Sequence, residues 1–201
     1  DNDGEPEIIV GCDNWRTYVL DRNGREIWNY EVVRQTRSVK ITDLDGDGKQ
    51  ELICGTAYMT ATVLTHKGYR VWGGRFGHGC RASAAPLNGD GRNRTVVLGL
   101  DNGNVNFYNK KGGVVKTFHT GDEIFMMTET LEANGKQDIY VCSYNGFVYR
   151  LTAEGNVVWS RALPASVVRI VTLPDGGVAA GTIDGDVCLL TADGRIRGHV
   201  K

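Results

Sequence analysis

The chain has 201 residues and a formal net charge of −1, with 41% hydrophobic and 23% charged residues. These values describe a folded chain and exclude general disorder and a generally basic nucleic-acid binder. Glycine is the outlier, 27 residues against 4 prolines, which points to many tight turns between short strands.

In chain order, an acidic start, Asp1-Asn2-Asp3-Gly4-Glu5-Pro6-Glu7, leads into the apolar run Ile8-Ile9-Val10-Gly11. Leu20-Asp21-Arg22-Asn23-Gly24 then reads as a hairpin turn before Arg25-Glu26-Ile27-Trp28. The same order returns four times. Its apolar runs are Leu52-Ile53-Cys54-Gly55, Val96-Val97-Leu98-Gly99, Ile139-Tyr140-Val141-Cys142 and Val178-Ala179-Ala180-Gly181. Its hairpins turn about Gly68, Gly112, Gly155 and Gly194, so the five turn glycines are spaced by 44, 44, 43 and 39 residues. A further strand is expected ahead of each later run, over residues 38–44, 81–87, 125–131 and 167–173. No segment keeps a helical apolar period, and no apolar stretch approaches the roughly 20 residues of a membrane-spanning helix.

Four short strands in about 40–45 residues are the signature of a β-propeller blade. The expected fold is therefore all-β: about five four-stranded blades, with 19 strands readable because the first unit lacks its first strand. The blades run over 1–37 (partial), 38–80, 81–123, 124–166 and 167–201. Because residues 1–7 align with the middle of the second unit's loop, the chain is expected to be part of a larger or swapped ring. The alternative is a five-bladed ring closed by residues 199–201. Open blade edges would favour self-association.

The Gly-x-x-x-Trp runs ending at Trp28, Trp72 and Trp159 resemble the tryptophan-docking motif of quinoprotein-like (PQQ-like) propeller repeats. That resemblance implies that each indole locks one blade against the next, and all three are expected to be largely buried. Lys116 and Gly198 occupy the position in the third and fifth copies, with Phe118 the candidate substitute in the third.

One loop carries the clearest chemistry. Asp43, Asp45 and Asp47 alternate along a turn that Gly46 and Gly48 permit, Lys49 can offer its backbone carbonyl, and Glu51 closes the set. Hard cations such as Ca²⁺ take six to eight oxygens, which such a loop supplies, although a plain solvated acidic turn has the same composition. The loop looks like the calcium loop of FG-GAP repeats. That resemblance implies calcium as a bound ion and an extracellular or periplasmic setting. The other copies are eroded. Thr130 replaces the first carboxylate of copy four, Arg94 stands at the last position of copy three, and copy five shrinks to residues 174–176. Copy one keeps Asp1, Asp3 and Glu7, so one full site and a half site are expected.

The five cysteines, Cys12, Cys54, Cys80, Cys142 and Cys188, form no C-x-x-C and read as small buried thiols. No nucleophile elbow, zinc-protease motif or P-loop is present. In a propeller, the loops joining second to third strands share a face with the loops between blades. There the sequence gathers Trp15, Arg16, Arg34, Arg37, Tyr58 and Arg81, a set suited to an anionic glycan or an acidic protein segment. Two functions follow. One is a calcium-stabilised, extracytoplasmic binding module without chemistry. The other is part of a polysaccharide lyase or another carbohydrate-active enzyme, in which His78 or Tyr58 would act as general base and Arg81 would neutralise the uronate.

Overall fold

The computed structural model describes residues 4–88, 94–131 and 135–201. Among them there is no helix, and 19 strands form five antiparallel sheets. The first sheet has three strands: β1 (Ile8–Gly11), β2 (Arg16–Leu20) and β3 (Glu26–Glu31). The second comprises β4 (Thr36–Thr42), β5 (Glu51–Thr56), β6 (Thr60–Leu64) and β7 (Arg70–Arg75). The third comprises β8 (Cys80–Ala84), β9 (Val96–Leu100), β10 (Asn104–Tyr108) and β11 (Val114–His119). Next come β12 (Ile124–Glu129), β13 (Ile139–Ser143), β14 (Phe147–Leu151) and β15 (Val157–Ala162). The last are β16 (Val167–Thr172), β17 (Val178–Thr182), β18 (Val187–Leu190) and β19 (Ile196–Val200).

The sequence pattern explains the layering. β5, β9 and β13 are buried at every position, because each lies mid-sheet with neighbouring blades against both faces. Such strands read as continuous apolar runs rather than alternating ones. The fourth strands, such as β11 and β15, are mostly exposed and form the outer rim. β4, β8, β12 and β16 are the inner strands, each packed on the next. They end earlier than the expected 38–44, 81–87, 125–131 and 167–173, and all but β16 also begin earlier. Each also carries a β-bulge at the same register, adding Arg37, Arg81, Phe125 and Val168 respectively.

Blade junctions repeat one contact. The hairpin glycines adopt φ between +79° and +83°, the left-handed region, and from the second blade onward each turn is covered by a ring from the blade before. A Cβ at Gly68 would stand 2.9 Å from the Trp28 ring, at Gly112 2.8 Å from Trp72, and at Gly194 2.7 Å from Trp159. Trp28 Nε1–H donates to the His66 carbonyl (3.0 Å) and Trp159 Nε1–H to the Ala192 carbonyl (2.9 Å). These indoles are largely buried, as expected, though not completely, with one face against the glycine turn. The third junction departs from expectation. Phe107, fully buried in β10, takes the seat on Gly155 at 2.7 Å. Phe118 instead meets Tyr149 edge-on at 5.2 Å, and Lys116 Nζ donates to Asn156 Oδ1 (2.6 Å).

The five sheets make an open arc. β19 pairs with β18 and does not return to the first sheet, so the closed five-bladed alternative is not formed. Across the inner side of the arc, Lys40 Nζ of β4 reaches Glu129 Oε2 of β12 at 2.7 Å. The intervening β8 is lined by Ala82, Ser83 and Ala84, small enough for its neighbours to meet past it. Glu129 Oε1 also accepts the Ala85 N–H (2.7 Å).

Candidate functional site

Antiparallel order places the loops after second strands and the loops between blades on one face. A repeated hydrogen-bond pair ties them together. The Val32 N–H donates to the Trp15 carbonyl (2.8 Å) and the Ala57 N–H to that of Gln35 (2.8 Å). One blade on, Phe76 bonds to Met59 (2.6 Å) and Asp101 to Gly79 (3.0 Å); the pattern continues with Thr120 to Gly103 and Tyr144 to Glu123, both 2.9 Å. The same backbone pairing thus recurs around this face, which leaves the side chains to differentiate it.

At blades one and two the side chains form a stack. The Arg34 guanidinium lies 4.8 Å from the Trp15 ring centroid and 5.4 Å from that of Tyr58. Trp15 is 44% exposed, Tyr58 54% and the adjacent Val33 47%. Trp15 (φ 68°), Arg34 (φ 83°) and Met59 (φ 64°) are the three non-glycine residues with positive φ among the described residues. Trp15 and Met59 hold the loop position that Gly103, Gly146 and Gly185 fill in the other blades.

The remaining candidates are more engaged. Arg16 pairs with Glu31 (3.0 Å) and with Asn29. Arg37 is exposed, with only a 3.5 Å approach to Gln35. Arg81 pairs with Glu123 and lies 5.6 Å over Phe125, which stacks on Tyr144 at 5.6 Å. His78 Nδ1 is 3.2 Å from Asp101 Oδ1, whose other oxygen accepts the Gly79 N–H (3.0 Å). Tyr58, His78 and Arg81 therefore hold three separate partners, Arg34, Asp101 and Glu123.

The acidic loop lies on the opposite face, between β4 and β5. Asp43, Asp45 and Glu51 each bring a carboxylate oxygen within 4.8 Å of the others; Asp47 does not join that group. Turn amides hold the loop: Asp43 accepts from the Gly46 N–H (2.7 Å) and the Gly48 N–H (2.8 Å), Asp47 from Lys49 (2.7 Å), and Glu51 from Leu44 (2.9 Å). Burial, and then the charges of Asp45, Asp47 and Asp43, raise the Glu51 carboxyl above its ordinary value. A clustered, all-oxygen donor set whose members repel one another fits a hard divalent cation.

In two eroded copies an arginine occupies or pairs with the last ligand position. The Arg94 guanidinium donates to the Ala85 carbonyl (2.9 Å) and to Gln137 Oε1 (2.8 Å). Asp138 of copy four is taken by Arg150 at 2.8 Å. Asp1 and Asp3, expected as a half site, lie outside the described residues. No described helix is long and apolar enough to cross a membrane.

No protein-family model matches the sequence, and no curated protein matches it. Solved structures do. The WD40 β-propeller domain of Doa1 is similar with a TM-score of 0.77 at 15% identity, over 100% of this chain and 66% of that one. BBS1N, solved in complex with ARL6DN, is similar with a TM-score of 0.76 at 15% identity, over 99% of this chain and 65% of that one. A protein of unknown function from Bacteroides caccae has a TM-score of 0.65 at 17% identity, over 98% and 73%. The chain thus spans less than two thirds of BBS1N. At such identities these likenesses establish the fold, a β-propeller, and leave its task to the site.

Proposed function

We propose that this chain is a β-propeller interaction module that binds an acidic ligand on the loop face of its first blades and is braced by calcium on the opposite face. The observation that carries this reading is the gathering of Trp15, Arg34, Arg37, Tyr58 and Arg81 on one face with a repeated backbone framework, without a convergent acid–base set among the described residues. Aromatic and arginine side chains dominate binding hot spots. BBS1N, a similar propeller solved with ARL6DN, supports a protein partner for such a platform.

Asp43, Asp45 and Glu51 would hold the ion, with Asp47 and the Lys49 carbonyl as further donors from the same turn. Calcium there cross-links the two ends of the loop and relieves carboxylate repulsion. The ring-on-glycine junctions support the quinoprotein-like repeat resemblance, and the acidic turn supports the FG-GAP one. A site of this type suits the millimolar calcium of an extracellular or periplasmic setting.

The test is binding of acidic probes at varied salt. Affinity falls as salt rises, because exposed ion pairs are screened over about 8–10 Å. Arg37→Ala and Arg81→Ala each weaken binding, while Arg195→Ala, on a hairpin of the opposite face and paired with Asp193, does not. Salt-insensitive binding, or equal loss with Arg195→Ala, overturns the reading.

A further inference from the structure

We propose that Arg34, held between Trp15 and Tyr58, is the receptor for a carboxylate on an acidic polypeptide segment of a partner protein. The inference rests on the reading of the loop face as the binding surface, and it names the anchor and the class of ligand.

The first observation is an unspent donor set. Among the described residues, no hydrogen bond or ion pair falls on the Arg34 guanidinium; its contacts are the two rings. Arg16, Arg81, Arg150, Arg195 and Arg197, in contrast, all have carboxylate partners. A guanidinium has five N–H groups in a planar fork. The rings take none of these N–H groups as hydrogen-bond partners, so the fork is available to the two oxygens of a carboxylate.

The second observation is backbone strain confined to this spot. Trp15, Arg34 and Met59 all adopt left-handed φ, a conformation that disfavours side chains with a Cβ. Glycine holds two of these positions elsewhere in the repeat. Keeping large side chains there opposes stability and fixes the stack in advance, and strain of this kind gathers at ligand-binding sites.

The third observation selects a polypeptide over a sugar chain. The surroundings are Val33, exposed, and Met59, half-buried, beside the two aromatic rings. The nearby amide, Asn14, is already used by the Tyr18 hydroxyl (2.7 Å) and the Arg16 N–H (3.2 Å). Sugar hydroxyls need several free polar partners, whereas an apolar surround with one oriented cation suits a side-chain carboxylate flanked by apolar residues.

The experiment is fluorescence anisotropy with a labelled peptide of glutamates flanked by leucines, with oligogalacturonate as competitor. Arg34→Ala and Arg34→Lys are expected to weaken peptide binding about tenfold or more, the lysine because it lacks the fork. Arg34→Gly should lose binding equally while its melting temperature stays at or above that of the wild type, which separates lost recognition from lost folding. If Arg34→Ala binds normally while Arg37→Ala and Arg81→Ala bind weakly, the loop face stands and the assignment to Arg34 falls. If wild type does not bind the peptide, both fall. Tighter binding of oligogalacturonate than of peptide, lost in Arg34→Ala, overturns the polypeptide and makes the occupant a glycan.

Discussion

At Gly155 a single hydrogen stands where any other residue would place a methyl group against Phe107. The seat also requires φ of +80°, so Gly155→Ala is expected to destabilise the protein by at least about 1–2 kcal/mol, measured by urea denaturation. Phe107→Ala should cost about 3–5 kcal/mol, as for other buried aromatic truncations. Restoring the motif by Lys116→Trp should bring no gain, because the seat is taken. A clear rise in stability for that variant would show that the indole displaces the phenyl ring. The turn glycines were legible in the sequence because positive φ leaves few alternatives. The Phe107 substitution was not: its ring comes from the neighbouring strand β10 rather than from the motif position, and only the space it fills is shared. The thiols follow the burial that their apolar settings imply. Burial pushes Cys54 up to about 11 and Cys80 and Cys142 up to about 12, and it also raises Cys188. With these four held as inert thiols at neutral pH, brief alkylation of the native protein should label Cys12, which is partly exposed, ahead of the rest. Peptide mass spectrometry showing early labelling of Cys80 would contradict the packing at that junction.

Among the elements, the loop from β4 to β5 is the most specific. Its alternating carboxylates were readable because ligand spacing is a local property of one turn. Chelation of calcium should lower the melting temperature of the wild type, and Asp45→Ala should abolish the difference. The titration must extend to millimolar calcium, where sites of this kind often bind. Asp45→Ala should leave acidic-probe binding unchanged, since its loop and the Arg34 stack lie on opposite faces. The bulges of β4, β8, β12 and β16 were not readable. One extra residue next to a loop leaves the apolar pattern intact, so the sequence placed Arg37 and Arg81 with the loops between blades rather than at strand bulges. In the structure each sits at the bulge, a feature that commonly re-aims a side chain beside a functional site.

For the whole molecule, the arc divides into a firm middle and softer ends. β9 and β13 are buried throughout, whereas β1 has no fully buried position and lacks an inner neighbour in its own sheet. Hydrogen exchange should therefore be slowest in β9 and β13 and fastest in β1 to β3. Lys40 and Glu129 add a tie across the third blade that no local pattern could announce, since their separation in sequence is 89 residues. Lys40→Met leaves Glu129 without its cation in a mostly buried place. It should lower stability by about 1–2 kcal/mol, between the usual values for exposed and buried pairs.

The blade junctions also have a direction. Each ring projects forward from a completed hairpin onto a glycine that belongs to the following blade. During synthesis, Trp28 leaves the ribosome well before Gly68, and Trp72 before Gly112. Each of the first four blades therefore waits with an aromatic ring uncovered until its successor emerges, and the arc is sealed one step at a time from the N-terminus. Each junction needs only a ring on one side and a bare turn on the other, so duplicating a whole blade within the gene would create a new junction that is already complementary. A lineage built this way can change its number of blades without redesigning any interface, while the loops of each copy remain free to diverge.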